Sequence, residues 1–321
     1  MSRAALISVD WGTTARRSVL LGDDGAVMER CDDGAGILPP PRDGFAVALD
    51  QDIGAWLQRF GPLPVVVSGM IGSRQGWHEV PYIDCPAGPI AIAQNLQVID
   101  AGALGHIHIV PGLRHAPSGQ GLDVMRGEET QIIGALGSHA GEDTGLFVLP
   151  GTHSKWAWTR NGAIEGFATY MTGEVFAALR QHTILGRLMP SGIAGGLMPE
   201  GAAAFDHASF DRGVVDGAAE GHPGALLNRV FGVRTLGLFE VVPAAGLEAY
   251  LSGLLIGAEM AAATTSLHMR QFTIIGNAGL SASYKRCAEV LKCEARVAAA
   301  DCAARGHWTI AQAAGLTKGW S

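Results

Sequence analysis

The feature that most restricts the fold of this chain is an internal repeat. When Gly12-Thr13 is aligned with Gly151-Thr152, the basic residue Arg16 falls on Lys155. Each copy reads as an apolar strand, a tight Gly-Thr turn, a basic residue and a second strand. After a two-residue gap the hairpin tips align as well, with Gly25-Ala26-Val27 on Gly162-Ala163-Ile164. The repeat predicts two domains built on one plan.

The Gly-Thr turn of each copy is suited to binding phosphate. Glycine lets the backbone pass close to an anion, so that N–H groups and a threonine hydroxyl can point at phosphate oxygens. In the first copy the turn follows Asp10, a carboxylate at the end of a buried strand that can hold Mg²⁺ directly or through water. The second copy has Pro150 at this position. Two ordinary hairpin turns are the alternative explanation.

Strands alternate with helical patterns along the rest of the chain. Residues 64 to 68 form an apolar run typical of a buried parallel strand, and Glu128 to Leu136 reads as a helix with an acidic first turn. The last predicted strand, Gln271 to Ile275, leads into a loop of small residues. This alternation predicts an α/β fold. A polar break near residue 140 predicts one domain over residues 1–140 and a second over 141–321.

Composition excludes several classes of protein. A net charge of −7 without runs of Lys or Arg argues against a nucleic-acid partner. The most apolar stretch, Leu251 to Thr265, is too short to cross a membrane and carries Glu259. Five cysteines without a C-x-x-C pair argue against a zinc site or a disulfide framework. The N-terminus lacks the pattern of a signal peptide, so we expect a cytoplasmic protein.

Several motifs carry a resemblance to known proteins. Asp10-Trp11-Gly12-Thr13-Thr14 and Leu149-Pro150-Gly151-Thr152-His153-Ser154-Lys155-Trp156 resemble the two phosphate motifs of the superfamily of sugar kinases, chaperone ATPases and actin. Gly276-Asn277-Ala278-Gly279-Leu280 resembles its adenosine motif. Ser68-Gly69-Met70-Ile71-Gly72-Ser73 and Met125-Arg126-Gly127-Glu128-Glu129-Thr130-Gln131 are similar to motifs of the 2-dehydro-3-deoxygalactonokinases. The motifs follow the family's order over nearly the whole chain.

This resemblance implies two ribonuclease-H-like, or actin-like ATPase, domains with a five-stranded sheet in each and a nucleotide cleft between them. It implies a kinase that uses ATP and Mg²⁺ to convert 2-dehydro-3-deoxy-D-galactonate to its 6-phosphate in galactonate catabolism. A kinase for another small sugar or sugar acid, and a nucleotide switch without a sugar substrate, are the alternatives. Asp10 is the implied metal ligand. The implied ATP-binding residues are Gly12, Thr13, Thr14, Arg16, Gly151, Thr152, His153, Ser154, Lys155, Gly276, Asn277, Ala278 and Gly279.

The catalytic base is implied at the start of the helix that connects the two phosphate motifs. Related sugar kinases carry a carboxylate there, and this chain has Glu128 and Glu129. Acidic residues are common in first turns, so we expect one of the two to be structural. We expect Glu128 to be the base and to act with Asp10, because it directly follows Gly127, where the backbone can pass close to substrate.

The sugar acid is the expected partner, and a homodimer is left open. Its carboxylate needs a cation, and Arg16, Arg74 and Arg126 each lie beside a motif. The residues predicted to bind substrate are Ser68, Gly69, Met70, Ile71, Arg74, Trp77, Tyr82 and Arg126. Thr172 and Glu174, at the start of a later helix, are expected to cap it, with contact to substrate or nucleotide as the alternative.

Overall fold

The computed structural model describes residues 2–117, 121–137, 144–190, 205–222 and 224–317, without the side chain of residue 33. The chain divides into two compact units. The first comprises Met1–Gly145, Trp158–Phe167 and Ala299–Ser321, and the second comprises Leu146–Ala157 and Ala168–Ala298. The predicted boundary between residues 140 and 141 lies outside the described residues. The predicted domains 1–140 and 141–321 therefore stay a prediction, and the units differ from them in grouping the C-terminal helix with the first unit.

The first unit is built on a mixed sheet with the strand order β3-β2-β1-β4-β7-β6. Strand β1 pairs antiparallel with β2 and parallel with β4, and β4 pairs parallel with β7. Strand β6 pairs antiparallel with β7 and extends the sheet to six strands, one more than the five expected. The strands are Ala4–Trp11 (β1), Ala15–Gly22 (β2), Val27–Ala35 (β3), Val65–Ser68 (β4), Gln97–Asp100 (β6) and His106–Ile109 (β7).

Among its described residues, the first unit also contains a small second sheet and four α-helices. Strands β5, β8 and β9 form this sheet in the order β5-β8-β9. Its strands are Ile83–Asp84 (β5), Leu113–His115 (β8) and Asp123–Met125 (β9). The helices are Phe45–Phe60 (α1), Pro89–Gln94 (α2), Glu128–Leu136 (α3) and Cys302–Ala313 (α9). The predicted helix from Glu128 to Leu136 is confirmed residue for residue.

The other sheet has the order β12-β11-β10-β13-β14, in which β10 pairs parallel with β13 and β13 with β14. Its strands are Thr144–Leu149 (β10), Ser154–Arg160 (β11), Ala163–Tyr170 (β12), Gln271–Ile274 (β13) and Glu294–Val297 (β14). Counted along the chain, the strands of this sheet lie in the order third, second, first, fourth, fifth. Strands β3-β2-β1-β4-β7 of the first sheet have the same order. The predicted α/β class and the repeat of one plan are therefore confirmed.

The helices of the second unit are Thr172–His182 (α4), His207–Ala218 (α5), Ala225–Leu238 (α6), Leu247–Leu267 (α7) and Ala278–Val290 (α8). Helices α5 and α7 pack through glycines, since a Cβ on Gly213 would meet the carbonyl of Tyr250 and one on Gly253 would meet the carbonyl of Phe210. Such close approach buries α7 along most of its length. Among the described residues, no helix combines the length and the apolar character needed to cross a membrane.

Helix packing also fixes α3, which begins with the two candidate glutamates. A Cβ on Gly134 of α3 would meet the carbonyl of Cys302, and one on Gly306 of α9 would meet the carbonyl of Thr130. Both helices are thus in backbone contact, a distance that only glycine permits. The close packing of α3 on α9 therefore fixes the position of the α3 N-terminus.

Candidate functional site

Asp10 lies at the carboxyl end of β1, in the middle of the first sheet. Register places it beside Ser68 of β4 and opposite Arg17 of β2. Its carboxyl is 18% exposed, and the Arg17 guanidinium lies 3.9 Å away. Burial raises the pKa of Asp10, and the charge of Arg17 opposes that rise. A bound cation would offset the cost of ionising this carboxyl.

The first Gly-Thr turn is held by the chain that follows β3. The N–H of Ile37 donates to the carbonyl of Gly12 and the N–H of Leu38 donates to the carbonyl of Thr13, both at 3.1 Å. Thr13 and Thr14 are exposed. The turn is therefore fixed through its backbone while both threonine side chains stay accessible to a ligand.

Two glycines with positive φ bring together the predicted motifs around Asp10, Ser68 and Glu128. Gly69 has φ +94° and Gly127 has φ +106°, which L side chains rarely adopt. A Cβ on Gly69 would lie 2.7 Å from the carbonyl oxygen of Trp11 and 3.5 Å from Oδ1 of Asp10. A Cβ on Gly127 would lie 3.1 Å from Cα of Gly69. Gly69 therefore lies between Asp10 and Gly127. As a result, α3 begins close to the end of β1 that carries Asp10.

The two glutamates at the start of α3 occupy different environments. Glu129 is fully buried, and its carboxylate accepts hydrogen bonds from the N–H of Gly127 at 2.7 Å and from the Thr130 hydroxyl at 3.0 Å. Burial, with the Glu128 charge as a second cause, raises the pKa of Glu129 to about 8. Glu128 is only half-buried, and its Oε2 accepts from the N–H of Arg126 at 2.9 Å. Of the pair, Glu128 has the surface that a substrate hydroxyl can reach.

The three candidate arginines are separated by their contacts. Arg16 is buried in a two-point ion pair with Asp52, at 2.6 and 2.7 Å, which ties α1 to β2. Its predicted contact with phosphate or substrate stays a prediction, without support from this geometry. Arg74 has an 86% exposed side chain, and its Nε lies 3.5 Å from Glu79. The Arg16 guanidinium is thus desolvated but already paired, and that of Arg74 stays in solvent.

Arg126 differs from both. It is 8% exposed, its Nη2 donates to the carbonyl of Val80 at 2.6 Å, and its guanidinium lies 4.3 Å from the ring centroid of Tyr82. Within the described residues, its Nε and Nη1 are buried and find no hydrogen-bond partner. Buried donors without partners are rare and costly in proteins. Here two of them share one guanidinium in the residue before Gly127.

The remaining predicted substrate residues fall into two groups. Ser68 and Ile71 are fully buried, and Ile71 belongs to the core of the first unit. Trp77 packs at a stacked angle on Phe45, with 6.3 Å between the ring centroids. Tyr82 is 41% exposed. The geometry thus gives packing roles to Ile71 and Trp77, and leaves Tyr82 available beside Arg126.

The predicted second phosphate loop lies against the start of α4. Thr152 and His153 are exposed, and the carbonyl of Thr152 accepts from the N–H of Glu174 at 3.0 Å. The Glu174 carboxylate lies 2.6 Å from Nε2 of His153, and a Cβ on Gly173 would lie 2.8 Å from Cα of Thr152. Helix α4 has no side-chain cap, so the expected capping by Thr172 and Glu174 is wrong. Their side chains contact other groups of this unit instead.

Alternation along β11 sends its first residues to opposite faces of the sheet. Ser154 and Trp156 face the Glu259 carboxylate of α7, with donor–acceptor distances of 2.6 and 2.7 Å. Lys155 faces the other way and donates from Nζ to the Thr169 hydroxyl at 2.8 Å. Among the residues predicted to bind ATP in this loop, Ser154 is therefore buried and hydrogen-bonded to Glu259.

The predicted adenosine loop lies at the same edge of this sheet. Strand β13 runs parallel to β10, and a Cβ on Gly276 would lie 3.5 Å from the ring of Pro150. Gly276, Asn277 and Ala278 are exposed, whereas Gly279 is half-buried. The Asn277 side chain caps α8 by accepting from the N–H of Leu280 at 2.9 Å. The loop combines an accessible backbone with a fixed helix start.

Sequence reasoning missed the buried partners of these motifs, among them Asp52, Glu259 and Tyr284. The sequence did contain a signal for Glu259, because a single carboxylate in the apolar stretch from Leu251 to Thr265 must find donors when it is buried. It gave no indication of which donors these would be.

Comparisons with known proteins agree on one family. The family model described as 2-keto-3-deoxy-galactonokinase matches residues 10–310. The chain is 36% identical over 305 residues to a probable 2-dehydro-3-deoxygalactonokinase of Rhizobium meliloti (strain 1021), covering 95% of each chain. It is 32% identical over 301 residues to the 2-dehydro-3-deoxygalactonokinase of Escherichia coli (strain K12), covering 94% of each.

A solved structure supports the fold. The crystal structure of a Sinorhizobium meliloti protein assigned as a 2-dehydro-3-deoxygalactonokinase matches with a TM-score of 0.81 and 35% identity. The match covers 97% of this chain and 98% of the other. The resemblance that the motifs carry therefore extends over nearly the full length of both chains.

Proposed function

The chain belongs to the 2-keto-3-deoxy-galactonokinase family, and on that premise we propose that it transfers the terminal phosphate of ATP to the 6-hydroxyl of 2-dehydro-3-deoxy-D-galactonate, a step of galactonate catabolism. The hydroxyl oxygen forms a bond to the γ-phosphorus, and the bond from that phosphorus to ADP breaks. Glu128 accepts the proton that the hydroxyl loses.

The observation that carries the sugar acid assignment is Arg126. Its Nε and Nη1 are buried donors without partners among the described residues, so this guanidinium keeps a positive charge and hydrogen-bonding capacity that an anionic group such as a carboxylate would satisfy. A neutral sugar would leave this cation uncompensated, which disfavours it as a substrate. Arg126 also precedes Gly127 and Glu128, so the proposed carboxylate ligand and the proposed base belong to one short segment.

The residues of each unit also fit the nucleotide. Mg²⁺ is commonly held by one or two carboxylates together with water and phosphate oxygens, and Asp10 is a carboxylate of this kind beside the Gly69 backbone. Mg²⁺ would neutralise charge on the phosphates during transfer. The exposed Thr13, Thr14 and Thr152 are the proposed phosphate ligands, and the backbone at Gly276 and Asn277 is the proposed contact of adenosine.

A coupled assay of ADP release tests this function. We expect turnover with ATP, Mg²⁺ and 2-dehydro-3-deoxy-D-galactonate, weaker turnover with its C4 epimer, and none with galactose. Phosphorylation of C6 can be checked by mass spectrometry and NMR of the product. ATP hydrolysis at the same rate with and without sugar acid would instead indicate a nucleotide switch.

Replacing Arg126 should affect the sugar acid and spare the nucleotide. Losing a buried charge-assisted pair should raise the KM for 2-dehydro-3-deoxy-D-galactonate roughly 10- to 100-fold in Arg126→Met, with little change in the KM for ATP. Arg126→Lys keeps the charge, so its KM for the sugar acid should lie between those of Arg126→Met and the wild type. Arg74→Met removes the other candidate arginine of this region and is the comparison variant; because the Arg74 side chain is exposed, we expect both constants to stay near wild type. An unchanged KM for the sugar acid in Arg126→Met would remove this residue from substrate binding.

A further inference from the structure

Glu259 is a buried carboxylate in the most apolar helix of the second unit. It lies in the interior of α7, is 3% exposed, and is flanked along the chain by Ala258 and Met260. Burial raises the pKa of Glu259, and hydrogen bonds from four side chains oppose that rise. A group placed at such a cost is expected to have a specific role.

The four donors come from three different elements. Oε1 accepts from the Ser154 hydroxyl at 2.6 Å and from Nε1 of Trp156 at 2.7 Å, both on β11. Oε2 accepts from the Tyr284 hydroxyl of α8 at 2.7 Å. The Thr172 side chain, at the start of α4, supplies the fourth hydrogen bond. Four donors match the lone pairs of an ionised carboxylate, which accepts only.

Each of these elements adjoins a proposed nucleotide loop. Ser154 directly follows Gly151-Thr152-His153, the proposed phosphate loop. Helix α4 contacts the same loop, because the N–H of Glu174 donates to the carbonyl of Thr152 at 3.0 Å. Helix α8 begins in the proposed adenosine loop, and Tyr284 lies in its second turn. One carboxylate thus links the phosphate loop, its supporting helix and the adenosine helix.

We infer that Glu259 is a positioning residue for the nucleotide: it holds the second phosphate loop and α8 in the geometry that binds ADP and ATP. This inference rests on the proposed function. Glu259 is buried and its two oxygens accept from side chains of β11 and α8, so it acts on the nucleotide through these donors. Charge-assisted hydrogen bonds are shorter and more directional than neutral ones, so replacing the carboxylate loosens β11, α4 and α8 relative to one another. Loops that are no longer preorganised bind their ligand more weakly.

The isosteric variant Glu259→Gln tests the inference. Its amide keeps one acceptor oxygen for Ser154 and Trp156, but it presents an NH₂ group to the Tyr284 hydroxyl, which donates to Oε2 in the wild type. We expect the Kd for Mg·ADP, measured by calorimetry on the full chain, to rise about tenfold, and the KM for ATP to rise with it. The KM for 2-dehydro-3-deoxy-D-galactonate should change by less than about twofold.

Glu248→Gln is the matched control. Glu248 lies on the same helix, is 4% exposed, and pairs at 3.0 Å with Arg180. Arg180 belongs to the C-terminal end of α4, whereas Thr152 contacts the N-terminal end. A purely structural role for buried glutamates on α7 predicts that both variants lose thermal stability and that neither changes the Kd for Mg·ADP. That result, or any wild-type Kd in a folded Glu259→Gln, would overturn the inference.

A second variant covers the case in which Glu259→Gln does not fold. Tyr284→Phe removes a single donor and keeps the ring that packs in the core. It should raise the Kd for Mg·ADP about threefold with an unchanged KM for the sugar acid, and an unchanged Kd would again overturn the inference. If the wild type itself binds no adenine nucleotide, the proposed function fails and the inference fails with it. If the wild type binds Mg·ADP and neither variant changes the Kd, only the inference fails.

Discussion

Asp10→Asn should lower kcat by about 10² to 10³-fold while the fold stays intact. Asparagine keeps the shape of the side chain and loses the charge that, in the proposed function, would hold Mg²⁺. The loss should be largest at limiting Mg²⁺, because the variant binds the cation more weakly. Steady-state kinetics over a series of Mg²⁺ concentrations, with saturating ATP and sugar acid, measures the effect. Wild-type turnover of Asp10→Asn at limiting Mg²⁺ would show that Asp10 does not hold the metal.

The stability of this variant gives an independent check. Burial raises the pKa of Asp10, so ionising the carboxyl costs more in the folded protein than in the unfolded chain. That cost grows as pH rises through the folded pKa, and the neutral amide does not carry it. Without Mg²⁺, Asp10→Asn should therefore have a Tm at or above that of the wild type near neutral pH. Asp84→Asn, which removes an exposed carboxylate paired with Arg114, is the kinetic control and should keep wild-type kcat.

Local chemistry explains why much of the fold could be predicted. The Gly-Thr turns and the helix that starts at Glu128 are encoded by neighbouring residues, because turns and first helical turns depend on short-range geometry. The repeat then supplied long-range information, since two copies of one pattern imply two sheets of one order. Strands β5, β8 and β9 contain only two or three residues each, too few for a periodic pattern to predict.

The partners of the predicted residues could not be read in the same way. The repeat aligns Arg16 with Lys155, yet Arg16 pairs with Asp52 and Lys155 contacts Thr169. Equivalent positions in two copies share a backbone geometry and differ in what the rest of each unit places beside them. Ser154 and Glu259 are separated by 105 positions, and no local pattern relates them. Packing of whole elements decides such contacts.

Glu128→Gln should lower kcat by roughly 10²- to 10⁴-fold, the contribution of general-base assistance, with little change in the KM for ATP. The Glu128 carboxylate accepts a hydrogen bond from the N–H of Arg126 and is half-buried, so part of its surface is accessible to a substrate hydroxyl. The amide keeps the side-chain shape and cannot take up the proton. A pre-steady-state measurement of the phosphoryl-transfer step separates this loss from a change in ADP release.

Glu129→Gln is the matched comparison, because it makes the same change one residue further along α3. Glu129 is fully buried, so its replacement should act on stability and leave kcat within a few-fold of the wild type. Its pKa is about 8 in the folded protein against an ordinary value of 4.5, so unfolding releases a proton between these values. The wild type should then lose up to about 1.4 kcal/mol of unfolding free energy per pH unit in this window, a loss absent from Glu129→Gln.

The two variants therefore differ in kind as well as in size. Denaturation measured at about pH 5 and about pH 8 gives the unfolding free energy of each variant. Relative to the wild type, Glu129→Gln should be more stable at pH 8 than at pH 5. Glu128→Gln should show its loss of kcat at both pH values. The opposite ranking of kcat would transfer the role of base to Glu129, which would require α3 to expose that carboxylate when substrate binds. Near-wild-type rates in both variants would remove the pair from the reaction, and deprotonation of the hydroxyl would then fall to another group near Asp10.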